Sequence, residues 1–195
     1  MGRPVTIGLT GGIAAGKSEA LAAFERLGAA TISSDAIVHE LLDAAPLRER
    51  LIERWGGEIA PGGRVDRGRV GAIVFEDPAE LAWLERQVHP LVGGRIGQWL
   101  ESLAPSTEIA VIEVPLLFET AMDGAFDVTV AVVTSDPLRR RRAEARGHEL
   151  VAEREARQLP QEEKAARADH VVRNDGTLEG LEGELSALIA SLRQG

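Results

Sequence analysis

A glycine-rich stretch near the start of the chain constrains the fold more than any other feature. Residues 11–18 read Gly-Gly-Ile-Ala-Ala-Gly-Lys-Ser, which matches the phosphate-loop pattern of a glycine, four residues, a second glycine, lysine and serine. The apolar run over residues 5–10 predicts a buried strand before this stretch, and Leu21, Phe24 and Leu27 recur at helical spacing after it. In such a bend the backbone N–H groups and the positive end of the helix dipole converge. The sequence therefore predicts a phosphate-binding loop.

Each residue type in this pattern has a chemical task. The loop backbone holds phosphate oxygens, Lys17 is expected to reach the β- and γ-phosphates, and the Ser18 hydroxyl is expected to bind Mg²⁺. The residues predicted to contact the nucleotide here are Gly12, Ile13, Ala14, Ala15, Gly16, Lys17, Ser18 and Glu19. The chain lacks the Asn-Lys pair of guanine-nucleotide switches and the Leu-Ser-Gly-Gly signature of ABC-type ATPases, which leaves a small kinase or a compact ATPase.

Strand and helix patterns alternate through the rest of the chain. Further strands are predicted at residues 30–33, 109–112, 128–133 and 170–172, and nearly continuous apolar runs among them are typical of parallel strands covered on both faces. Leucines at helical spacing predict a closing amphipathic helix over residues 178–192. Long helical connections between strands favour an α/β fold with a parallel sheet. The stretch from residue 36 to about 103 contains no convincing strand and is predicted to be a helical insert.

Local signals refine this helical stretch. Asp77, Pro78 and Glu80 have the spacing of a capping box with proline in the first helical position. The pair His89-Pro90 predicts an interruption, because a residue before proline resists helical geometry. A lone histidine such as His89 is expected to pack or cap, and the tryptophans are expected in the core or lining a groove for an organic substrate.

Composition excludes several classes of protein. The 195 residues are 44% apolar and 27% charged, as in a packed globular protein of one domain with room for a small insert. A net charge of -9 disfavours nucleic acid as a partner. The absence of cysteine excludes disulfides and thiolate metal sites, and no apolar run approaches the roughly 18 residues of a membrane span. A cytoplasmic location without membrane contact is predicted.

Two further features have both a chemical and a structural interpretation. Asp35 follows the second predicted strand, where it can accept a proton from an attacking hydroxyl or cap a helix that begins at Ala36. The run 139–142 is four arginines, and Arg142 shares a helix face with Arg146. As a whole this run is expected to be a solvated face, with at least one arginine contacting phosphate in a lid.

Five segments together resemble the dephospho-CoA kinase family over nearly the whole chain. They are Leu-Thr-Gly-Gly-Ile at 9–13 continuing to Gly-Lys-Ser at 16–18, Ser-Asp-Ala at 34–36 with His-Glu at 39–40, Val-His-Pro-Leu at 88–91, Val-Pro-Leu-Leu-Phe-Glu at 114–119, and Ala-Asp-His-Val-Val at 168–172 with Asn174. The resemblance implies a three-layer α/β/α P-loop kinase core with a parallel sheet, at residues 1–36 and 105–195. It also implies a helical CoA-binding insert at 37–104 and a short lid at 137–160.

The resemblance implies ATP-dependent phosphorylation of the ribose 3'-hydroxyl of dephospho-CoA, the closing step of coenzyme A synthesis. Lys17 and Ser18 would hold the phosphates and Mg²⁺, and Asp35 matches the family's catalytic base. The lid arginine falls at Arg142, a catalytic position, with Arg146 nearby. The remaining implied contacts are Asn174 at the adenine end and, at the acceptor site with Asp35, His89, Pro115, Leu116, Leu117 and Glu119.

Two positions depart from the family pattern, and two other functions stay open. Ser33 stands where family members often carry a first aspartate, and Glu19 stands where threonine is common. The predicted partners are ATP and dephospho-CoA, and the chain is expected to act as a monomer or weak homo-oligomer. The alternatives are a kinase of another small hydroxyl acceptor, such as a nucleoside monophosphate or sugar, and a non-enzymatic nucleotide-binding regulator.

Overall fold

The structure is a computed structural model that describes residues 3–144 and 158–193. The chain forms two compact units. The first contains Met1–Ser33 and Leu103–Gly195, and the second contains Ser34–Ser102.

A five-stranded parallel sheet forms the centre of the first unit. Its strands are β1 (Val5–Gly11), β2 (Ala30–Ser33), β3 (Ile109–Glu113), β4 (Val128–Val133) and β5 (His170–Arg173). The spatial order is β2-β3-β1-β4-β5, and every neighbouring pair is parallel. With helices on both faces, this sheet confirms the predicted three-layer α/β/α class of P-loop kinases.

A hydrophobic core lies on one face of this sheet. Helices α1 (Lys17–Arg26) and α8 (Leu178–Leu192) pack there against strand side chains such as Ile7 and Val130, which are fully buried. The leucine stripe of α8 behaves as predicted, since Leu185 has no exposed surface. At about 25 cal/mol per Å², this apolar burial is the main force that holds the helices to the sheet. Two further helices of the unit, α6 (Asp136–Glu144) and α7 (Gln161–Arg167), precede β5, and α7 packs on β4 and β1.

Paired aspartate and threonine side chains join neighbouring strands at the amino end of the sheet. The Asp127 carboxylate accepts hydrogen bonds from the Thr6 backbone N–H at 2.9 Å and the Thr6 hydroxyl at 2.8 Å. Asp169 accepts the same two bonds from Thr129, at 2.8 and 2.7 Å. In each pair the threonine oxygen accepts the aspartate N–H in return. We call these two arrangements the aspartate–threonine pairs.

Charge and hydrogen bonds favour the ionised form of both aspartates. The Arg3 guanidinium, 2.5 Å from Asp127, together with the Thr6 donors, holds the pKa of Asp127 well below its usual range. The two Thr129 donors likewise lower the pKa of Asp169. The pairs therefore depend on carboxylates that stay charged.

The second unit is helical, and the absence of strands predicted for this stretch holds for all of residues 34–102. Its α-helices are α2 (Ser34–Asp43), α3 (Ala45–Trp55), α4 (Arg67–Glu76) and α5 (Pro78–Ser102). The core of the unit includes Leu47 and Leu51 of α3 and Val70 of α4. The Trp55 and Trp83 rings meet edge to face, with centroids 5.3 Å apart.

Helix α5 corrects the predicted interruption at His89-Pro90. It runs for 25 residues through Pro90 without a break. Its buried side chains Val88, Val92 and Ile96 recur at four-residue spacing, and the helix packs against α2 and α4. Burying three aliphatic side chains contributes about 5 kcal/mol or more, which exceeds the roughly 3 kcal/mol cost of a proline inside a helix.

The predicted capping box at the start of α5 is only half formed. Asp77 caps the helix through a 2.8 Å hydrogen bond from the Ala79 N–H. Glu80 instead accepts hydrogen bonds from Trp55 Nε1 at 2.7 Å and Arg54 Nη2 at 2.6 Å. Arg54 and Trp55 lower the pKa of Glu80, so a charged partner on α3 replaces the expected backbone contact.

Candidate phosphate-binding site

The predicted loop lies between β1 and α1, at the carboxyl end of the sheet. Between Gly11 and Lys17, its conformation depends on two residues with positive φ, Ala14 at 60° and Gly16 at 97°. A β-carbon on Gly16 would lie 1.9 Å from the Asn174 Nδ2 atom, so this position also needs glycine for space. Alternating backbone geometry of this kind turns successive N–H groups toward one point, as in anion-binding loops.

Lys17 and Ser18 form the first turn of α1, where the helical N–H groups lack partners four residues earlier. The Lys17 ammonium folds back along the loop and donates to the carbonyls of Gly11 at 3.2 Å and Gly12 at 3.0 Å. Ser18 is exposed. The Glu19 carboxylate faces the other way along the helix and pairs with Arg26 at 3.3 Å.

Two distant predicted residues meet the loop at the carbonyl of Ala15. Asn174, just after β5, is buried and donates to this oxygen through Nδ2 at 3.1 Å. Arg142, near the end of α6, reaches the same oxygen through Nη1 at 3.4 Å. The structure thus brings together residues separated by more than a hundred positions in the sequence.

The other arginines of α6 lie elsewhere. Arg139 pairs with Asp136 at 3.4 Å, and Arg140 and Arg141 are exposed, as expected of a solvated face. Residues 145–157 of the predicted lid, which include Arg146, lie outside the described residues.

A buried lysine ties the predicted acceptor segment, residues 115–119, to the start of the phosphate loop. Lys164 of α7 has no exposed surface, and its Nζ lies 2.5 Å from the Pro115 carbonyl and 2.9 Å from Glu119 Oε1. The same Pro115 carbonyl accepts from the hydroxyl of Thr10 at 3.2 Å. Burial lowers the pKa of Lys164, and the hydrogen bond and charge of Glu119 oppose this effect.

The Glu119 carboxylate has two different environments. Its Oε1 also accepts from the backbone N–H of Leu159 at 2.8 Å. Its Oε2 is buried and has no hydrogen-bond partner among the residues that the structure describes. Leu117, two residues earlier, is fully buried and anchors the segment in the core, whereas Leu116 is partly exposed.

Sequence reasoning missed two residues of α7 that contact this region. One is Lys164 and the other is Gln161, whose side chain lies 3.0 Å from the place that a β-carbon on Gly12 would occupy. The Gln161 amide also exchanges hydrogen bonds with the Thr134 backbone, at 2.8 and 3.3 Å. The sequence did contain one signal. The chain has only two lysines against twenty arginines, so a lysine at position 164 indicates a specific role for that residue.

The second unit holds the remaining predicted residues. Helix α2 begins at Ser34 directly after β2, so Asp35 lies inside its first turn and does not cap a helix that begins at Ala36. Asp35 is exposed, and no described residue forms a hydrogen bond or ion pair with its carboxylate. His89 is exposed on α5.

Two grooves lie within the second unit. One, of about 530 Å³, has the apolar side chains Leu41, Pro90 and Leu91 beside the charged Arg95. The other, of about 290 Å³, is polar and includes His39 and Arg64. Both have sizes near those of pockets for organic ligands. Among residues 3–144 and 158–193, no helix is long and apolar enough to cross a membrane.

A parallel sheet whose first strand leads through a glycine-rich loop into a helix, with Lys17 and Ser18 opening that helix, defines a P-loop protein of the nucleoside-triphosphate-binding class. Comparison with known proteins narrows this class. The model of the dephospho-CoA kinase family matches residues 5–180. A dephospho-CoA kinase of Synechococcus sp. (strain JA-3-3Ab) is 39% identical, with 97% of this chain and 94% of the relative covered.

Solved structures support the same family. A crystal structure of a Thermus thermophilus protein matches with a TM-score of 0.84 at 36% identity, covering 98% of this chain and 99% of the other. A dephospho-CoA kinase from Campylobacter jejuni matches with a TM-score of 0.71 at 25% identity, covering 97% and 98%. The chain belongs to the dephospho-CoA kinase family. The resemblance and the prediction of a phosphotransferase are thereby confirmed.

Proposed function

We propose residue roles for the reaction that family membership assigns to this chain, the ATP-dependent phosphorylation of the ribose 3'-hydroxyl of dephospho-CoA in coenzyme A biosynthesis. The observation that carries the proposal is the loop of residues 11–18, in a chain whose family match extends from residue 5 to residue 180. Phosphoryl transfer needs mainly positioning and charge neutralisation, so the roles below are of these two kinds.

The phosphate loop is proposed to hold ATP. The N–H groups at the start of α1 face the phosphates, and Lys17 moves from the Gly11 and Gly12 carbonyls to the β- and γ-phosphates. Arg142 and Asn174 support this role because both contact the loop at Ala15. Arg142 is proposed to neutralise charge that develops on the transferred group, and Asn174 to border the adenine.

Ser18 is proposed to hold Mg²⁺, which supplies charge neutralisation on the phosphate oxygens when bound. The donor chemistry fits, since the Ser18 hydroxyl is exposed at the start of α1 and Mg²⁺ prefers oxygen ligands. The described residues contain no cluster of three or more histidines and carboxylates suited to a metal. Such a cluster is not required, because Mg²⁺ in kinase sites takes most ligands from phosphates and water.

Asp35 is proposed as the general base. It would accept the proton of the ribose 3'-hydroxyl as that oxygen bonds to the γ-phosphorus and the bond to the β-phosphate oxygen of ATP breaks, releasing ADP. Its carboxylate is exposed and unengaged by any described residue, so it is available to a substrate hydroxyl. It follows β2 by two residues, and ligands in parallel α/β sheets bind beyond the carboxyl ends of strands.

The acceptor is proposed to bind two parts of the chain. In the first unit, the segment from Pro115 to Glu119 borders the nucleoside, and the buried Glu119 Oε2 is available to accept a hydrogen bond from it. In the second unit, His89 and the groove beside Leu91 support the prediction that residues 37–104 bind the CoA moiety. A cytoplasmic monomer or weak homo-oligomer remains part of the proposal.

The deciding measurement is coupled ADP production with and without dephospho-CoA. ADP release should depend on dephospho-CoA, and Lys17→Ala should abolish it, because the loop then lacks the cation that bridges the terminal phosphates. A panel of nucleoside monophosphates and sugars tests other acceptors. Faster turnover of one of these would overturn the acceptor, and ATP hydrolysis indifferent to every acceptor would indicate a nucleotide-binding regulator instead.

A further inference from the structure

The two lysines of this chain have very different surroundings. Lys17 belongs to the phosphate loop, whereas Lys164 is fully buried in α7. Taking a charged ammonium out of water is unfavourable unless strong partners replace the solvent. Lys164 has such partners in the Pro115 carbonyl and Glu119 Oε1. A methionine would fill similar space at position 164 without burying a charge. The buried ammonium therefore indicates a role for Lys164 other than packing.

The partners of Lys164 connect three parts of the first unit. The Pro115 carbonyl also receives the Thr10 hydroxyl, and Thr10 directly precedes the glycines that open the phosphate loop. Glu119 Oε1 also accepts a hydrogen bond from the Leu159 N–H, near the end of the range predicted for the lid. One ammonium therefore joins the end of β1, the segment after β3, and the segment before α7.

We propose that Lys164 is a positioning residue for the phosphoryl transfer, one that fixes residues 115–119 in register with the phosphate loop. This inference rests on the proposed function, in which that segment borders the acceptor. Lys164 itself touches neither substrate. Its ammonium holds a main-chain carbonyl and a carboxylate, so that the acceptor surface and the γ-phosphate keep a fixed separation. Misplacement by about 1 Å at a reacting centre can cost as much as a hundredfold in rate.

The main test is Lys164→Met, which keeps an unbranched side chain of similar length and removes the charge. The expected result is a KM for dephospho-CoA raised about tenfold or more, with ATP affinity measured without acceptor within about twofold of the wild type. Arg167→Met is the matched control, because Arg167 lies on the same helix, is exposed, and pairs only with Glu163 among the described residues. Its kinetic constants should equal those of the wild type.

A second variant keeps the inference testable if Lys164→Met does not fold. Thr10→Val removes the other donor to the Pro115 carbonyl, is nearly isosteric and suits a strand. It should raise the same KM by a smaller factor and leave ATP affinity unchanged. Circular dichroism and urea unfolding verify that each variant is folded.

The outcomes separate the two levels of the proposal. If the wild type releases no ADP in response to dephospho-CoA, the proposed function fails. If the wild type is active but folded Lys164→Met or Thr10→Val keeps the wild-type KM for dephospho-CoA, only the role of Lys164 is overturned. A rise of equal size in the ATP dissociation constant would also overturn it, because that result indicates general damage to the core.

Discussion

Substituting Gly16 by alanine tests the geometry of the phosphate loop by stability alone. A non-glycine residue in the left-handed region costs about 1–2 kcal/mol. The new β-carbon would also lie 1.9 Å from Asn174 Nδ2, where contacts shorter than 3.0 Å are essentially never seen. The Asn174 amide must therefore move by about 1 Å and lose its bond to the Ala15 carbonyl, which costs about 1 kcal/mol more. We expect Gly16→Ala to lower the free energy of unfolding by about 2–3 kcal/mol.

Gly28→Ala is the matched control. Gly28 has φ 89°, close to the 97° of Gly16, but nothing lies within 4 Å of the place that its β-carbon would occupy. It should show only the backbone cost of about 1–2 kcal/mol. Urea unfolding of both variants, in the wild type and in an Asn174→Ala background, isolates the contact between Gly16 and Asn174. The reasoning is refuted if Gly16→Ala destabilises no more than Gly28→Ala, or if its penalty is the same without Asn174.

Three other substitutions test the core, the edge of the sheet and the chemistry. Leu185→Ala should lower the free energy of unfolding in urea by about 2–5 kcal/mol, because Leu185 is fully buried. Leu178→Ala, at a residue that is 42% exposed, should lower it by less than about 0.5 kcal/mol. Equal losses would contradict the assigned core. Asp127→Asn should destabilise by about 1–2 kcal/mol at pH 7 by weakening the Thr6 bonds. The pKa of Asp127 is lowered in the folded state, so its ionised carboxylate stabilises the wild type above about pH 4, and this contribution is lost as the pH falls. The difference in unfolding free energy between wild type and variant should therefore shrink in acid. A difference that stays constant with pH would contradict the role of the ionised carboxylate. Asp35→Asn should reduce turnover about a hundredfold or more, because the variant lacks the proposed general base, while ATP affinity stays unchanged. The unfolding midpoint should also stay unchanged, because the carboxylate is exposed and has no partner among the described residues. Turnover equal to the wild type would remove Asp35 from the mechanism.

Elements set by local pattern were predictable from the sequence. Strand β4 and helix α8 have the bounds that the apolar run and the leucine stripe predict, because a short run rich in valine and threonine favours a strand and the leucine spacing has a helical period. The phosphate loop was predictable for a similar reason. Its fixed spacing of glycine, lysine and serine is required by one backbone shape, and Lys17 opens α1 as expected.

Features that depend on partners far along the chain were not predictable. Pro90 is a helix breaker by local rules, and only the packing of Val88 and Val92 explains why α5 continues through it. The same holds for Lys164, whose partner Glu119 is 45 positions away and whose burial follows from the arrangement of α7 over the sheet. A lysine that directly follows an acidic pair, here Glu162 and Glu163, would ordinarily be assigned to solvent.

The aspartate–threonine pairs contribute to stability at a place remote from the phosphate loop. They fasten strands at the end of the sheet opposite the one from which the phosphate loop emerges, since Thr6 lies near the beginning of β1 and Gly11 at its finish. Changes there, such as a more firmly held partner than Arg3 for Asp127, can raise the free energy of unfolding at neutral pH without altering residues of the reaction. Substitutions that raise the thermal stability of this enzyme are therefore best sought at the amino end of the sheet.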